Sequence, residues 1–383
     1  MRDMDRDPFK EYITQTEPGM REKGYAWHTA IGLQAVDGLT PSKYLVQTAV
    51  QNIEGKITID QVQQLLDAYY EENEGNEDDR TEEADKVSVR IAKILSEKAF
   101  SFTPAEYISI HKKLFQGIYH HAGKMREINI TKKEWVLDGA TVLYASASDL
   151  EVTLKYDFSQ EKQFSYKGLS MDEIIRHLAV FVSHLWQIHI FAEGNTRTTA
   201  VFFIKYLRTL GFNVTNDIFA ENAWYFRNAL VRANYNNLKN GVHETTEYLE
   251  LFLRNLLLDE KNPLHNRMMH IRGSFADVKE QDIDSQKQDI WSEKQDIYTE
   301  NQHDGETGPN NQKTGKTKFT GKTFAHIQKL YQECGDDRVF GRGDVMRLLH
   351  LTESPSSELI RKLLAADLIE PVSGMGKGRY VFK

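Results

Sequence analysis

From His189 to Arg197 the sequence reads "HIFAEGNTR", with a histidine, a carboxylate, a Gly-Asn pair and an arginine in one short stretch. A histidine titrates near neutrality, so His189 can take a proton from an incoming nucleophile. Glu193 is a hard oxygen ligand of the kind that holds Mg²⁺ against phosphates. Gly194 lets an anion approach the backbone closely. Arg197 offers a charge-assisted hydrogen bond to a phosphate. Together these types describe phosphoryl or nucleotidyl transfer, catalysed by positioning and charge stabilisation. Phe191 is expected to point into the core and anchor the stretch.

Two helices must hold these residues. Ser170 and Glu173 have capping-box spacing. Ile174, Leu178, Phe181, Val182 and Leu185 then recur on one face, which predicts a helix running into His189. "RTTAVFFIKYLRTLGF" predicts a second, more apolar helix ending near Gly211. Gly194 and Asn195 therefore lie at a helix N-terminus, where unpaired N–H groups and the helix dipole favour an anion.

The rest of the chain bounds the class. It has 383 residues, 40% hydrophobic and 27% charged, which is ordinary for a globular protein of two or three domains. A net charge of -8 argues against whole-chain binding to nucleic acid or an anionic membrane. No apolar run suffices for a membrane span, and "MRDMDRDPFKEY" is not a signal peptide, so a cytoplasmic location is expected. Cys334 is the only cysteine, which excludes an internal disulfide.

Residues 1–85 read as a mostly helical segment, and residues 86–274 as a helical core with one exception. "KKEWVLDGATVLY" has β-type residues on both sides of Asp138-Gly139, a hairpin signal. Residues 275–318 repeat Gln-Asp-Ile at a period of seven, with too few apolar positions for a coiled coil, and predict a polar flexible linker. Residues 319–383 show three helical stretches and then two short strands about a Gly-rich turn, the order of a winged helix-turn-helix. Arg361 and Lys362 on its last helix and Lys377 and Arg379 in its wing suit phosphate contacts, although many such modules bind protein instead.

"HIFAEGNTR" resembles the signature of the Fic (Fido) family, His-Pro-Phe-x-Asp/Glu-Gly-Asn-Gly-Arg-x-x-Arg. "IHKKLFQGIYHHAGKMREINI", the Asp138-Gly139 hairpin and "RNALVRANYNNL" are similar to the segment before the family's flap, the flap itself, and the helix bordering the nucleotide base. The resemblance covers about residues 40–255 and implies a mainly α fold with a β-hairpin flap. It implies transfer of AMP from ATP to a hydroxyl of a target protein, the chain itself included, with Mg²⁺ as cofactor. His189 would be the general base and Glu193 the metal ligand. Gly194, Asn195, Thr196 and Arg197 would lie on the phosphates and Asn234 near the adenine. The implied partners are a target protein along the flap, DNA at the C-terminal module as an alternative to protein, and a second copy of the chain as a further alternative. No membrane is implied.

Three positions depart from the signature: Ile190 for Pro, Thr196 for the second Gly, and Ala200 for the second Arg, which holds the terminal phosphate in the family. Ala200 leaves open another nucleotide, removal of the modification, or a DNA-binding regulator whose core senses a ligand. "TAVQNIEGKIT" resembles the family's inhibitory helix, with Val50 at its Ser/Thr position, which implies that Glu54 obstructs the phosphate site. The alternative is a helix end with Gly55 just beyond it. Arg126 is a candidate phosphate contact or a helix-end cap, and Tyr225 and Phe226 are candidate base-stacking or packing residues. Adjacent His120 and His121 diverge on a helix and are expected to be structural.

Overall fold

Side-chain caps set several of the helix starts, those that follow Ser42, Thr103 and Ser170. The structure is a computed structural model that describes residues 8–14, 17–72, 79–214, 218–272, 326, 329–330, 339–349, 351, 353–365, 369–372 and 379–382. Its contacts divide the chain into two units, Met1–Lys287 and Gln288–Lys383. The first unit contains α1 (Lys10–Ile13), α2 (Pro18–Gly32), α3 (Lys43–Ile53), α4 (Ile59–Glu72), α5 (Asp79–Ser96) and α6 (Pro104–Phe115). After a long irregular segment come α7 (Leu150–Gln163), α8 (Met171–Ile188), α9 (Asn195–Thr209), α10 (Ile218–Glu221), α11 (Ala223–Ala233) and α12 (Glu247–Leu258). Ser42 caps α3 by accepting from the Leu45 N–H at 3.0 Å, and Thr103 caps α6 ahead of Pro104. At α8 the Ser170–Glu173 capping box forms in both directions.

The centre of this unit is α9. Every residue from Asn195 to Leu207 is buried, so the helix has no solvent face and α5, α6 and α8 pack around it. Burying Lys205 there requires partners for its ammonium. Its Nζ donates to the carbonyls of Ile94, at 3.2 Å, and Glu97. Arg208 donates to the Leu95 carbonyl at 2.6 Å. Two cations from α9 thus satisfy the last carbonyls of α5, where the helix dipole is negative.

The reversal at Asp138-Gly139 forms, but the expected β-hairpin does not. Both residues have positive φ, 55° and 80°, and the Glu134 N–H donates to the Ala140 carbonyl at 2.9 Å. Residues 135–137 instead make a 3-10 turn, and no strand is present among the described residues of this unit. The reason lies in where the backbone groups go. Within the stretch the Lys132 N–H donates to the Thr141 hydroxyl and Gln187 takes the Leu143 carbonyl, while just beyond its ends Arg126 takes the carbonyls of Ile128 and Ala145. Side chains hold the flap where a ladder was expected.

The expected boundary at residue 85 falls inside α5, and α2 packs along α5, so residues 1–85 belong to the same unit as the core. The linker expected at 275–318 lies outside the described residues. The second unit runs β1 (Phe340–Gly341), α13 (Arg342–Leu349), α14 (Glu353–Ala365), β2 (Ile369–Pro371) and β3 (Arg379–Phe382). Its antiparallel sheet has the order β1-β3-β2, with Ile369 opposite Phe382. Of the first helix expected here, only residues 326, 329 and 330 are described, and Lys377 lies outside them. Arg361 and Lys362 are exposed on α14, whereas Arg379 pairs with Asp344 at 3.3 Å. Among the described residues no helix is long and apolar enough to cross a membrane.

One close approach fixes the N-terminal helices. A Cβ on Gly32 would lie 2.4 Å from the Ala220 carbonyl oxygen and 2.5 Å from its Cα. The obstacle is backbone, which cannot swing aside, so the roughly 1–3 kcal/mol of overpacking outweighs the roughly 1 kcal/mol gained by Ala over Gly in a helix. Gly32→Ala should therefore lower the urea midpoint. An unchanged midpoint would mean that α2 and α10 separate freely.

Candidate functional site

His189 ends α8 in the left-handed region, with φ 51° and ψ 56°. That conformation costs a non-glycine residue roughly 1–2 kcal/mol and persists only where neighbours impose it. Arg126 is the neighbour. Its Nε donates to the His189 carbonyl at 2.8 Å, and its own N–H donates to the Ile190 carbonyl at 2.8 Å. With Ile128 and Ala145 taking its remaining nitrogens, this buried guanidinium binds backbone on both sides of the loop. Its side-chain donors are spent on backbone carbonyls, that of the α8 C-cap residue His189 among them, which is the helix-end role.

The His189 ring is 4% exposed and lies against Tyr144, with centroids 4.3 Å apart. Both ring nitrogens are buried, with no hydrogen-bond partner among the described residues. Burial holds the imidazole well below its ordinary pKa, and the charges of Lys132, Arg126 and Arg227 push the same way. The ring is therefore neutral across the physiological range, as a proton acceptor must be.

Residues 190–196 are held from several sides. The Asn195 side chain accepts from the Phe191 N–H at 3.0 Å and donates to the Phe191 carbonyl at 2.7 Å. Both ends of its amide bind the Phe191 backbone, so Asn195 shapes the loop. Phe191 lies in the core as expected, stacked on His111 at 3.6 Å and 9°. His111 accepts from the Gly123 N–H at Nδ1, so Nε2 carries the proton donated to the Glu193 carbonyl at 3.0 Å. Burial lowers His111 to about 3, which keeps that arrangement fixed. The Thr196 hydroxyl accepts from the Trp186 indole at 3.0 Å. Gly194 has φ +75°, and a Cβ there would meet the Phe115 ring at 2.4 Å, so its close approach is to an aromatic ring.

What remains for an anion is the backbone. The first bond of α9 runs from the Thr198 N–H to the Gly194 carbonyl at 3.0 Å. The N–H groups of Asn195, Thr196 and Arg197 precede it and carry the positive end of the helix.

The structure turns the Arg197 side chain away from a phosphate role. It is fully buried, with Asp37 2.7 Å from Nε and Glu83 2.6 Å from the guanidinium. Asp37 lies near Nε without the alignment of a hydrogen bond, so that contact is an ion pair. Gln34 accepts at 3.1 Å, Tyr119 at 3.2 Å, and the Phe115 ring lies 4.8 Å from the guanidinium carbon. Burial works against its charge, but Asp37, Tyr119 and Glu83 overcome that and raise its pKa. Sequence reasoning missed all these polar partners, the nearest of which along the chain, Tyr119, is 78 positions away.

Glu193 does face the site. Its carboxylate is about a quarter exposed and lies 3.5 Å from the Lys132 ammonium. Its charge also acts on His121, whose imidazole is lowered first by burial and whose buried Nε2 has no hydrogen-bond partner among the described residues. His120 and His121 sit edge to face at 4.9 Å. Among the described residues no group of three or more His, Cys, Asp or Glu converges on a metal position. Mg²⁺ needs only one or two carboxylates when phosphates supply other ligands. A single Glu193 therefore fits a metal that arrives with phosphate.

Above the site, buried Glu134 joins the flap to α11, with Arg227 at 2.7 Å and the Tyr144 hydroxyl at 3.1 Å. Asn234 donates to the Ser183 and Leu230 carbonyls, at 3.0 and 2.9 Å, and so links α11 to α8. Tyr225 and Phe226 are core residues against Phe252. Glu54 is not brought to Arg197. It caps α3, bound to the Lys56 ammonium at 2.6 Å and the Tyr12 hydroxyl at 2.9 Å, with Gly55 at φ +76° behind it. The helix-end reading describes that geometry.

Residues 101–207 match the Fic/DOC family. That span holds α6, the flap, α8, the loop and nearly all of α9. Over 108 residues the chain is 29% identical to the protein adenylyltransferase VbhT of Bartonella schoenbuchensis, covering 28% of this chain. The match spans only about a fifth of that relative, 21% of its length. Among solved structures, a Fic family protein from Desulfovibrio desulfuricans G20 is similar at 12% identity and a TM-score of 0.31, covering 93% of this chain and 96% of that one.

The pairing of Arg197 separates two roles. A phosphate-binding arginine would lose ligand affinity on substitution and keep stability. Here Arg197→Met strands two partly buried carboxylates, so unfolding free energy should fall, by at most about 3–5 kcal/mol since water still reaches both; an unchanged urea midpoint would refute the structural role. The depressed His189 pKa fixes a sign as well. Between its folded pKa and 6.5 the unfolded chain binds a proton that the folded one does not, so stability is lost as pH falls below 6.5. His189→Asn should flatten that slope by about 1.4 kcal/mol per pH unit. Equal slopes in both proteins would mean that His189 titrates normally.

Proposed function

We propose that the first unit transfers AMP from ATP to a hydroxyl side chain of a protein, with His189 as general base. The observation that carries this reading is the His189 imidazole: neutral, unpartnered at both nitrogens among the described residues, and fixed in a strained conformation beside the N-terminus of α9. The match to Fic/DOC and the name of the bacterial relative support the same chemistry. The hydroxyl oxygen attacks the α-phosphorus while its proton passes to an imidazole nitrogen. The bond from the α-phosphorus to the β-phosphate oxygen breaks and pyrophosphate leaves.

The first N–H groups of α9 orient the phosphates. Glu193 would hold Mg²⁺, which when bound neutralises charge that develops on the phosphate oxygens. Tyr144 covers the His189 ring, so the flap must shift before a hydroxyl can reach the base. Leu143, 84% exposed, and exposed Ile128 present apolar side chains on the flap's outer surface, where a target can be held.

Incubation with ATP and Mg²⁺, alone and with cell extract, followed by intact-mass analysis should show an AMP-sized adduct. His189→Ala should give none. Failure of the unaltered chain to modify itself or any extract protein would sink the reading.

A further inference from the structure

A nucleoside triphosphate brings several negative charges to a site whose motif arginine is turned away. Arg197 faces two carboxylates, Asp37 and Glu83, so that cluster repels an anion more than it attracts one. One turn along α9 stands Ala200, fully buried and uncharged. The guanidinium of Arg126 is spent on three carbonyls, and Arg227 lies on Glu134. The charge must come from elsewhere.

Lys132 is placed to supply it. It lies on the flap between Thr131 and Lys133, two residues before the anchored Glu134. The Lys132 side chain is only 12% exposed, and its ammonium stands 3.5 Å from Glu193. It is also the first charge acting on the His189 imidazole, so the same ammonium is felt by the base and by the carboxylate. The backbone beneath it is held, with the Lys132 N–H on the Thr141 hydroxyl at 3.3 Å and Glu134 fixed by Arg227. At 3.5 Å the pair with Glu193 is longer than a strong charge-assisted hydrogen bond, so the ammonium can exchange that partner for a better one.

We propose that Lys132 is the phosphate-binding cation of this site, exchanging Glu193 for an oxygen of the nucleotide's polyphosphate. The inference rests on the nucleotide-transfer reading above and names the residue that selects the ligand's charge. Once the ammonium moves to phosphate, the Glu193 carboxylate is released toward the same phosphates. One flap residue then couples arrival of the anion to exposure of the carboxylate.

Equilibrium binding of ATP and of adenosine, measured by calorimetry without an acceptor protein, tests this. Losing one charge-assisted contact should weaken ATP about tenfold in Lys132→Met, with adenosine unchanged and Lys132→Arg recovering most of the loss. Should Lys132→Met fail to fold, Lys132→Gln carries the same comparison. Wild-type ATP affinity in the variant, or an equal loss for adenosine, would overturn the inference alone. A wild-type chain that binds neither ligand would overturn the transfer reading and the inference with it.

Discussion

The buried ion pairs of Arg197 with Asp37 and Glu83 are the constraint on which the rest of the first unit depends. A charge taken out of water is tolerated only when paired and hydrogen-bonded. Satisfying this one guanidinium takes groups from three places in the chain: Gln34 and Asp37, Glu83, and Tyr119. That requirement brings the N-terminal helices against the segment that carries the motif. It also fixes the rotation of α9 about its axis, and with it the direction in which the helix's first N–H groups point. The N-terminal segment is therefore part of the site's support.

The loop itself follows a second rule: each turn of backbone is bound by a side chain whose own position is fixed. Asn195 closes the loop on Phe191, His111 holds the Glu193 carbonyl, and Arg126 ties His189 and Ile190 to the flap. These are ordered polar groups within a packed core, so they set geometry that apolar contact alone leaves loose. The strained His189 conformation is the product. A residue in the left-handed region survives because its carbonyl, its successor's carbonyl and its ring are each held.

Periodicity and capping made the helices legible in the sequence, because those signals are local. The Ser170 box, the buried face of α8 and the apolar run of α9 each depend on residues within a turn or two. The turn at Asp138-Gly139 was legible for the same reason, since positive φ is written in the residue types. The ladder was not, because a strand pairs only if its backbone groups are unclaimed, and here the Thr141 hydroxyl takes the Lys132 N–H and Gln187 takes the Leu143 carbonyl. Side-chain direction within the motif was equally hidden. Asn195 and Arg197 have the chemistry of phosphate ligands, but their partners lie inward, and Asp37 and Glu83 carry no local sign of that destination. Glu54-Gly55 fits both a helix end and the family's inhibitory motif, and the Tyr12 and Lys56 that hold Glu54 at the end of α3 carry no local sign of that contact in the motif itself.

The electrostatics of the base and of the anion position are one problem. Lys132, Arg126 and Arg227 all act on His189 in the direction that opposes its protonation. Arg126 and Arg227 are already bound, to carbonyls and to Glu134, so of the three charges Lys132 has the most exchangeable partner. On the transfer reading, an anion beside Lys132 would offset that charge at the imidazole, and the ring would gain basicity with phosphate bound. Burial alone would keep His189 neutral, but it would also keep it a poor proton acceptor. Cations around a buried imidazole make its basicity depend on the charge beside it. A proton acceptor that strengthens only beside a bound phosphate is suited to a reaction in which the nucleophile loses its proton as the phosphorus is attacked.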